Sequence, residues 1–330
     1  MNSGVSALTG SALRDVQLVS SKSIAVLIPC YNEEKTVADV VKSFKKVLPN
    51  AAIYVFDNNS TDDTVSEAIN AGAIIGHEKR QGKGHVMRTM LRQIEADIYI
   101  MVDGDGTYPA DKIHELLEPI ITGDADMVMG SRLHKDAVST FKVLNRIGNH
   151  MFLKAFNSIF RVNITDLLTG YRVFTKAVAK CLPIMSIGFE IETELTAKCI
   201  ESGYRVKEIA VNLSSRPEGS KSKIKIVRDG LLIMKTIFAL FRDYKPLTAF
   251  GLFGVVLICL GLFPGLVVVR EFIMTGYIER VPSAILSVGL VLSGLIFAFV
   301  GLVLHTIARR FQALDSQIKS MNEMFLRRAK

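Results

Sequence analysis

The sequence IYIMVDGDGTYP, residues 98–109, joins a short apolar run to two carboxylates that one glycine separates. The apolar run at residues 98–102 predicts a buried β-strand that ends at Asp103. Asp103 and Asp105 can therefore share a divalent cation, or one can hold the cation while the other binds a ribose. An isolated pair of this kind is more often a solvated acidic turn, but its position at a strand end favours a binding site.

Apolar strands and amphipathic helices alternate on both sides of this segment. Strands are predicted at residues 24–29, 52–56, 73–76, 98–102 and 127–130, and helices at about 33–47, 62–70, 82–96 and 112–121. This order predicts an α/β fold with a mostly parallel, Rossmann-like sheet within residues 23–213. Ligands of such sheets bind at the carboxyl ends of the strands. Polar clusters follow three of the strands, at residues 31–33, 57–59 and 103–105, so we expect several loops to build one site.

The composition limits the class of protein. The chain has 330 residues, of which 49% are hydrophobic, and its mean hydropathy is +0.31, which excludes a disordered protein. The net charge of +8 suits anionic lipids or phosphates, and no nucleic-acid motif accompanies it, so nucleic acid is not an expected partner. Four cysteines without metal-ligand spacing are typical of a reduced, cytosolic protein. Residues 1–22 lack a continuous apolar core and predict a flexible tail, not a secretory signal.

Two uncharged stretches, residues 246–269 and 281–308, are each long enough to span a bilayer as a helix. The alternative is a pair of buried core helices, but nothing else in the last third of the chain could surround them. We therefore predict a transmembrane hairpin joined by a loop at residues 270–280. The basic segment 214–245 is expected to lie beside the membrane and to include an interfacial helix.

The distribution of Lys and Arg around the two spans predicts their orientation. The connecting loop has two such residues, the segment 216–245 has eight and the tail 309–330 has six. Basic residues near spans favour the cytoplasmic side, so the catalytic domain and the C-terminus of this multi-pass membrane protein are predicted to be cytoplasmic. The tail is amphipathic enough to lie on the membrane or to pair with a second subunit, so we expect a homo-oligomer.

Seven segments together carry a resemblance to a known family. They are PCYNEE (29–34), DNNSTD (57–62), GKG (82–84), DGDGTYP (103–109), GSR (130–132), DLLTGYR (166–172) and RPEGSKSK (216–223). In this order they resemble family 2 glycosyltransferases of GT-A fold. The last two segments are similar to the polyisoprenyl-phosphate glycosyltransferases of the dolichyl-phosphate-mannose-synthase-like branch. The membrane hairpin is similar to that of bactoprenol glucosyltransferases, and the resemblance covers about residues 24–245.

The resemblance implies a donor site and a metal site. The residues implied to bind the nucleotide and its sugar are Pro29, Tyr31, Glu33, Asp57, Asn59, Lys83, Asp103 and Arg132. Arg132 would pair with diphosphate oxygens or hold an acidic loop, since its planar fork suits either. Asp105 and Thr107 are the implied ligands of Mg²⁺ or Mn²⁺, and Thr107 stands where such proteins often have Gln. Gly82 and Gly84 would bring their backbone towards the nucleotide.

The expected acceptor is a lipid monophosphate, whose second pKa is about 6. Such a nucleophile is already ionised near neutral pH and needs cations more than a strong general base. The residues predicted to bind the acceptor phosphate are Arg216, Ser220, Lys221, Lys223 and Arg172. The predicted catalytic carboxylates, which orient or assist the substrates, are Asp166, Glu190 and Asp103. A structural ion pair between Asp166 and Arg172 is the alternative for those two residues.

These features predict an enzyme that transfers a hexose from a nucleotide sugar, UDP-glucose first, to polyprenyl phosphate at the cytoplasmic membrane face. The resemblance implies a metal-dependent reaction with inversion at the anomeric carbon, which would supply a lipid-linked sugar for glycan or lipid modification of the cell envelope. A GDP-mannose-dependent synthase and a non-catalytic membrane scaffold or flippase partner are the alternatives. A processive polysaccharide synthase is disfavoured because the chain has no Trp and few spans.

Overall fold

The computed structural model describes residues 22–132, 152–181, 183–188, 190–212 and 226–328. The chain divides into two compact units, residues 1–237 and 238–330. Most of the predicted N-terminal tail lies outside the described residues, as do four of the predicted acceptor ligands, Arg216, Ser220, Lys221 and Lys223.

A seven-stranded sheet forms the centre of the first unit. Its strands are β1 (Ile24–Cys30), β2 (Ala52–Asp57), β3 (Ile74–His77), β4 (Ile98–Met101), β5 (Met127–Arg132), β6 (Arg172–Thr175) and β7 (Val206–Val211). The strand order is β3-β2-β1-β4-β6-β5-β7, and every neighbouring pair is parallel except the two that involve β6. The predicted α/β fold with a mostly parallel sheet is confirmed. Two strands were not among those predicted: the antiparallel strand β6, inserted between β4 and β5, and the edge strand β7.

Helices cover both faces of this sheet. They are α1 (Val37–Val47), α2 (Thr64–Asn70), α3 (Lys83–Gln93), α4 (Ile113–Ile121), α5 (152–160), α6 (Lys176–Cys181) and α7 (Ile191–Glu201), with a 3₁₀ turn at Ala110–Lys112. In α1 the buried residues Val37, Val41 and Phe44 recur every three to four positions, so one apolar stripe packs on the strands. The carboxyl ends of β1 and β2 lie side by side, with Cys30 opposite Asp57, and this register brings the predicted polar loops together.

Long helices form the C-terminal part of the chain. They are α8 (Ile226–Tyr244), α9 (Pro246–Thr275) and α10 (Val281–Arg328), and the division between the units falls within α8. By length and composition, Pro246–Thr275 and Val281–Phe311 are able to cross a membrane. The helices pack closely where glycines face each other: a Cβ on Gly254 would lie 3.1 Å from the Ala298 backbone nitrogen. Helix α9 extends six residues beyond the predicted span, and α10 continues unbroken through the predicted tail to Arg328.

Candidate active site

The loops that follow β1 and β2 are joined by hydrogen bonds. The backbone N–H of Asn32 donates to Ser60 Oγ at 2.9 Å, and that of Thr61 donates to Asn32 Oδ1 at 2.8 Å. The backbone N–H of Ser60 donates to the buried carboxylate of Asp57 at 3.1 Å. Asn32 adopts a positive φ of 54°, a conformation that Asn tolerates better than most residues. The two predicted polar clusters therefore form one continuous rim at the carboxyl edge of the sheet.

Three further residues predicted to bind the donor lie at this rim, in the last part of β1 or directly after it. Pro29 lies within the strand, in register with Phe56. Tyr31 is 39% exposed at the strand end. The backbone N–H of Glu33 donates to Thr64 Oγ1 at 2.8 Å, which ties the start of the following segment to α2. These three residues are therefore located where the sequence predicts a nucleotide site, and their contact with a nucleotide stays a prediction.

Two asparagines after β2 hold the segment 78–82. The side chain of Asn58, 3% exposed, donates to the carbonyls of Glu78 and Arg80, both at 2.8 Å, and accepts from the Gly82 N–H at 2.7 Å. Asn59 donates to the carbonyl of Lys79 at 2.8 Å. Both amides thus shape the wall of the site. The donor contact predicted for Asn59 stays a prediction.

The Gly82-Lys83-Gly84 segment packs on protein backbone, and the expectation that its glycines approach the nucleotide stays a prediction. The Gly84 N–H donates to the Ile187 carbonyl at 2.9 Å. A Cβ on Gly84 would overlap the backbone of Ser186, 2.7 Å from its carbonyl carbon, and a Cβ on Gly82 would overlap that of Ile187. Gly82 also has a φ of 132°, which side chains rarely adopt. Glycine is needed here because two backbones touch.

The Lys83 ammonium lies between two carboxylates at the first turn of α3. Lys83 Nζ is 2.5 Å from Asp103 Oδ1 and 2.6 Å from Glu192 Oε1. Burial by itself lowers the pKa of Lys83, but the charges of Asp103 and Glu192 outweigh burial and raise that pKa, so the ammonium stays protonated. Burial raises the pKa of Glu192, against the opposing charge of Lys83. Lys83 and Asp103 were predicted for the donor site, whereas Glu192 was not.

Asp105 and Thr107 form a tight turn after Asp103. Asp105 is 7% exposed, and its Oδ1 accepts the Thr107 hydroxyl at 2.6 Å and the Thr107 N–H at 3.1 Å. Among the residues the structure describes, no cluster of three or more His, Cys, Asp or Glu converges on one point. Two carboxylates with a hydroxyl nonetheless fit Mg²⁺ or Mn²⁺, because these ions prefer oxygen ligands and commonly take the remainder from substrate phosphates.

Arg132, the last residue of β5, is bound by Asp166. The guanidinium makes two hydrogen bonds to this carboxylate, which is 1% exposed. Burial lowers the pKa of Arg132, but the hydrogen bonds and charge of Asp166 outweigh it and raise that pKa. Of the two roles implied for Arg132, the structure shows the one in which it holds an acidic loop. Asp166 pairs with Arg132 and not with Arg172, so the alternative ion pair was wrong.

The prediction that Arg172 binds the acceptor phosphate was wrong. Its side chain is completely buried. The guanidinium donates to the carbonyls of Leu167 and Thr169, both at 3.0 Å, and to Thr196 Oγ1 at 2.7 Å. Arg172 therefore links the 167–169 segment to α7 inside the core, where an external phosphate does not reach it.

Glu190 and Glu194 hold the segment that precedes α7. Glu190 Oε1 accepts from the backbone N–H groups of Ile187 and Gly188, both at 3.0 Å. Glu194 accepts those of Met185 and Ser186, at 2.9 and 2.7 Å. The observed contacts of Glu190 are thus structural, and the catalytic role predicted for it stays a prediction.

Glu192 and Glu194 were not among the predicted site residues. The signal was the run of glutamates at alternate positions 190, 192 and 194 in an otherwise apolar segment. Since charged residues are rarely fully buried without a partner, such a run on a core helix indicates a buried ionic network. Its partner Lys83 lies 109 positions earlier, and no local pattern connects the two.

Comparisons with known proteins identify the class of enzyme. Residues 25–182 match the model of glycosyl transferase family 2. Glycosyltransferase AglJ of Haloferax volcanii is 32% identical over 269 residues, which cover 81% of this chain and 88% of that protein. The dolichyl-phosphate hexose transferase of Haloferax volcanii is 25% identical over 214 residues, which cover 65% of this chain and 92% of the other. The chain belongs to glycosyl transferase family 2 and is a glycosyltransferase.

Solved structures confirm the fold. Glucosyl-3-phosphoglycerate synthase from Mycobacterium tuberculosis, crystallised with Mn²⁺ and UDP-glucose, superposes with a TM-score of 0.59. The match covers 69% of this chain and 82% of that chain at 18% identity. The first unit of the chain therefore has the GT-A fold that the sequence predicts.

Proposed function

We propose that this glycosyltransferase moves a hexose from a nucleotide sugar to polyprenyl phosphate at the cytoplasmic face of the membrane. The observation that carries the proposal is the position of Asp103, Asp105 and the Arg132–Asp166 pair after β4 and at the end of β5, two strands that run in the same direction in one sheet. The same chain has two apolar helices of membrane-spanning length. The similarity to a dolichyl-phosphate hexose transferase supports the acceptor class. UDP-glucose is the proposed donor.

On the donor side, Asp105 with Asp103 would hold the divalent cation, which neutralises diphosphate charge when bound. The Asp57 carboxylate at the rim would bind the base, and Asp103 would bind the ribose or sugar hydroxyls. Arg132 is 24% exposed, so its outer nitrogen edge can add positive charge beside the diphosphate while Asp166 fixes its position.

On the acceptor side, a phosphate oxygen attacks the anomeric carbon, the bond from that carbon to the diphosphate breaks, and nucleoside diphosphate leaves with inversion. The nucleophile is already anionic, so no protein group has to remove a proton from it. The contacts of Asp166 agree with such a reaction. Its carboxylate is held by Arg132 and is not poised as a base. Arg216, Ser220, Lys221 and Lys223 are the proposed acceptor ligands.

We further propose that both ends of the membrane hairpin are cytoplasmic, on the strength of the Lys and Arg distribution. Single cysteines placed at residue 278 and at residue 315, in a chain without its natural cysteines, test this orientation. A membrane-impermeant thiol reagent added to intact cells is expected to label residue 278 and to leave residue 315 unlabelled. The reverse pattern contradicts the proposed orientation.

A transfer assay tests the function. The purified protein in neutral detergent is given polyprenyl phosphate, Mn²⁺ or Mg²⁺ and, in turn, UDP-glucose, a UDP-amino sugar or GDP-mannose. We expect lipid-linked hexose and nucleoside diphosphate with UDP-glucose, and no product when polyprenol replaces polyprenyl phosphate. If product forms from GDP-mannose and from neither other donor, GDP-mannose takes the place of UDP-glucose as the donor. Absence of transfer from every donor contradicts the enzymatic proposal and leaves the scaffold alternative.

A further inference from the structure

One ammonium is shared by two carboxylates that come from distant parts of the chain. Lys83 opens α3, Asp103 follows β4, and Glu192 lies in the first turn of α7. Both hydrogen bonds of Lys83 Nζ are short, 2.5 Å to Asp103 Oδ1 and 2.6 Å to Glu192 Oε1. The position of Lys83 therefore depends on both carboxylates together.

The three groups are ordered from the interior to the surface. The side chain of Glu192 is 4% exposed, that of Lys83 is 8% exposed and that of Asp103 is 29% exposed. Only Asp103 presents a substantial surface to a substrate. Glu192 is therefore too deeply buried to present its side chain to a donor, and Lys83 is the group that joins it to Asp103.

The charge of this cluster differs from that of a simple ion pair. Lys83 with Asp103 alone would be neutral, and the ammonium would satisfy Asp103. Here Glu192 accepts from the same ammonium, so the one positive charge of Lys83 is divided between two carboxylates. The remaining acceptor capacity of the Asp103 carboxylate can serve a sugar hydroxyl or a cation, the ligands for which carboxylates are suited.

The burial of Glu192 exceeds what structural support of Lys83 requires. Its second oxygen, Oε2, is buried and has no hydrogen-bond partner among the described residues. A neutral Gln would give Lys83 a hydrogen bond without the charge that makes the bond to a carboxylate strong. The backbone of Glu192 is also fixed, since its carbonyl accepts Thr196 Oγ1 at 2.8 Å and Thr196 in turn accepts Arg172. A rigid, buried and incompletely satisfied carboxylate is characteristic of a functional network.

We infer that Glu192 is a positioning residue of the donor site, which holds Lys83 between two carboxylates and so keeps Asp103 aligned for the nucleotide sugar. This inference rests on the proposed donor site. It adds a residue 89 positions beyond Asp103 that is joined to the donor site by Lys83.

A double-mutant cycle tests this inference. Glu192→Gln, Lys83→Met and the double variant are compared with wild type for nucleotide-sugar KM, kcat and nucleoside-diphosphate affinity. We expect Glu192→Gln to weaken donor affinity about 10- to 100-fold, as is typical when a supporting residue behind a direct ligand is changed. In the Lys83→Met background the same change is expected to have little further effect, because Glu192 acts through Lys83.

Glu95→Gln is the matched control. Glu95 makes the mirror arrangement, one carboxylate between the ammoniums of Lys176 and Lys180 at 2.9 and 2.8 Å, and it is outside the site. Donor KM is expected to be unchanged in this variant. Thermal unfolding reports the folding of each variant separately.

Two results would overturn the inference. One is a Glu192→Gln variant that is folded and has wild-type donor affinity, which leaves Glu192 as a core residue. The other is full additivity of the two substitutions, which places Glu192 in contact with the donor by another route. Both results are read against an active wild-type enzyme, so they are distinguishable from failure of the proposed function, in which wild type itself transfers no sugar.

Discussion

Arg132 and Asp166 face each other through two nearly parallel hydrogen bonds, Nε to Oδ2 at 2.5 Å and Nη2 to Oδ1 at 2.7 Å. Asp166 Oδ2 also accepts the backbone N–H of Arg132 at 3.1 Å. One carboxylate therefore fixes both the side chain and the backbone at the end of β5. Because this geometry uses both oxygens, a substitution that removes either oxygen removes part of the support of Arg132.

Asp166→Asn is expected to destabilise the folded protein by about 3–5 kcal/mol, because it leaves the Arg132 charge partly buried without its counter-charge. Asp126→Asn is the matched control, since Asp126 makes the same two-bond arrangement with Arg205 at 3.1 Å on the surface. There we expect a change of about 0.2–1 kcal/mol. Chemical denaturation of the two variants measures the difference. Equal destabilisation would contradict the structural importance of the Arg132 pair.

Gly170→Ala is expected to displace Asp103 and to raise the KM for the nucleotide sugar, on the order of tenfold. A Cβ at this position would overlap the Asp103 carboxylate, 2.7 Å from Cγ. Gly203→Ala is the control, because a Cβ at that position meets no atom within 4 Å. The backbone φ of 77° is the only strain in that variant, and it costs about 1–2 kcal/mol of stability. Steady-state kinetics on both variants are decisive, and an unchanged KM in Gly170→Ala refutes the expected clash.

Asp105→Asn is expected to remove nearly all transferase activity while the thermal unfolding temperature stays close to that of wild type. The substitution keeps the size of the side chain but replaces an anionic ligand by a neutral one. Titration of Mn²⁺ into the protein with nucleoside diphosphate measures the loss of binding directly, with exposed Asp111→Asn as the control. Full activity of chelator-treated wild type would exclude the metal from the reaction.

Glu78 is expected to make the stability of the protein depend on pH. The hydrogen bonds from Arg80 and from the Thr89 hydroxyl hold the pKa of Glu78 far below its usual range. A carboxyl with a lowered pKa stabilises the fold above its unfolded-state pKa of about 4.3, and this contribution declines as the pH falls below it.

The Glu78→Gln variant isolates this contribution. At pH 7 we expect it to unfold more easily than wild type, by about 1–3 kcal/mol. The difference is expected to shrink between pH 5 and pH 3, a range that lies around the unfolded-state pKa of about 4.3. Denaturant unfolding at each pH gives the two curves. Parallel curves across that range would show that Glu78 contributes no pH-dependent stability.

The sheet was predictable where strands end in polar clusters, because apolar runs and turn residues are local signals. Strand β6 could not be predicted in this way, because its four residues, Arg172–Thr175, carry too little hydrophobic pattern. It also pairs antiparallel with both of its neighbours in the sheet. Arg172 itself was misassigned because its charge suggested a ligand, whereas the fold places it at the centre of the core. A buried Arg is uncommon, and its acceptors come from segments that are brought together only by tertiary structure.

In the candidate site, too, some residues are predictable from local sequence signals and others are not. Asp103 and Asp105 were predictable from their place after an apolar strand, and the Asp57 loop from its turn residues. The connection from Lys83 to Glu192 was not, because α7 is buried on nearly every side and therefore lacks the amphipathic period that shows which residues face inward.

The glutamates before and within α7 have a consequence for exchange with solvent. Four consecutive amides, those of residues 185–188, donate to carboxylates of Glu190 and Glu194 although they belong to no helix or strand. Amide hydrogens exchange with solvent only when such bonds open. The amides of this irregular segment are therefore expected to exchange with deuterium about as slowly as those of a helix. The wall against Gly82 and Gly84 is thus expected to be a stiff surface, although no helix or strand forms it.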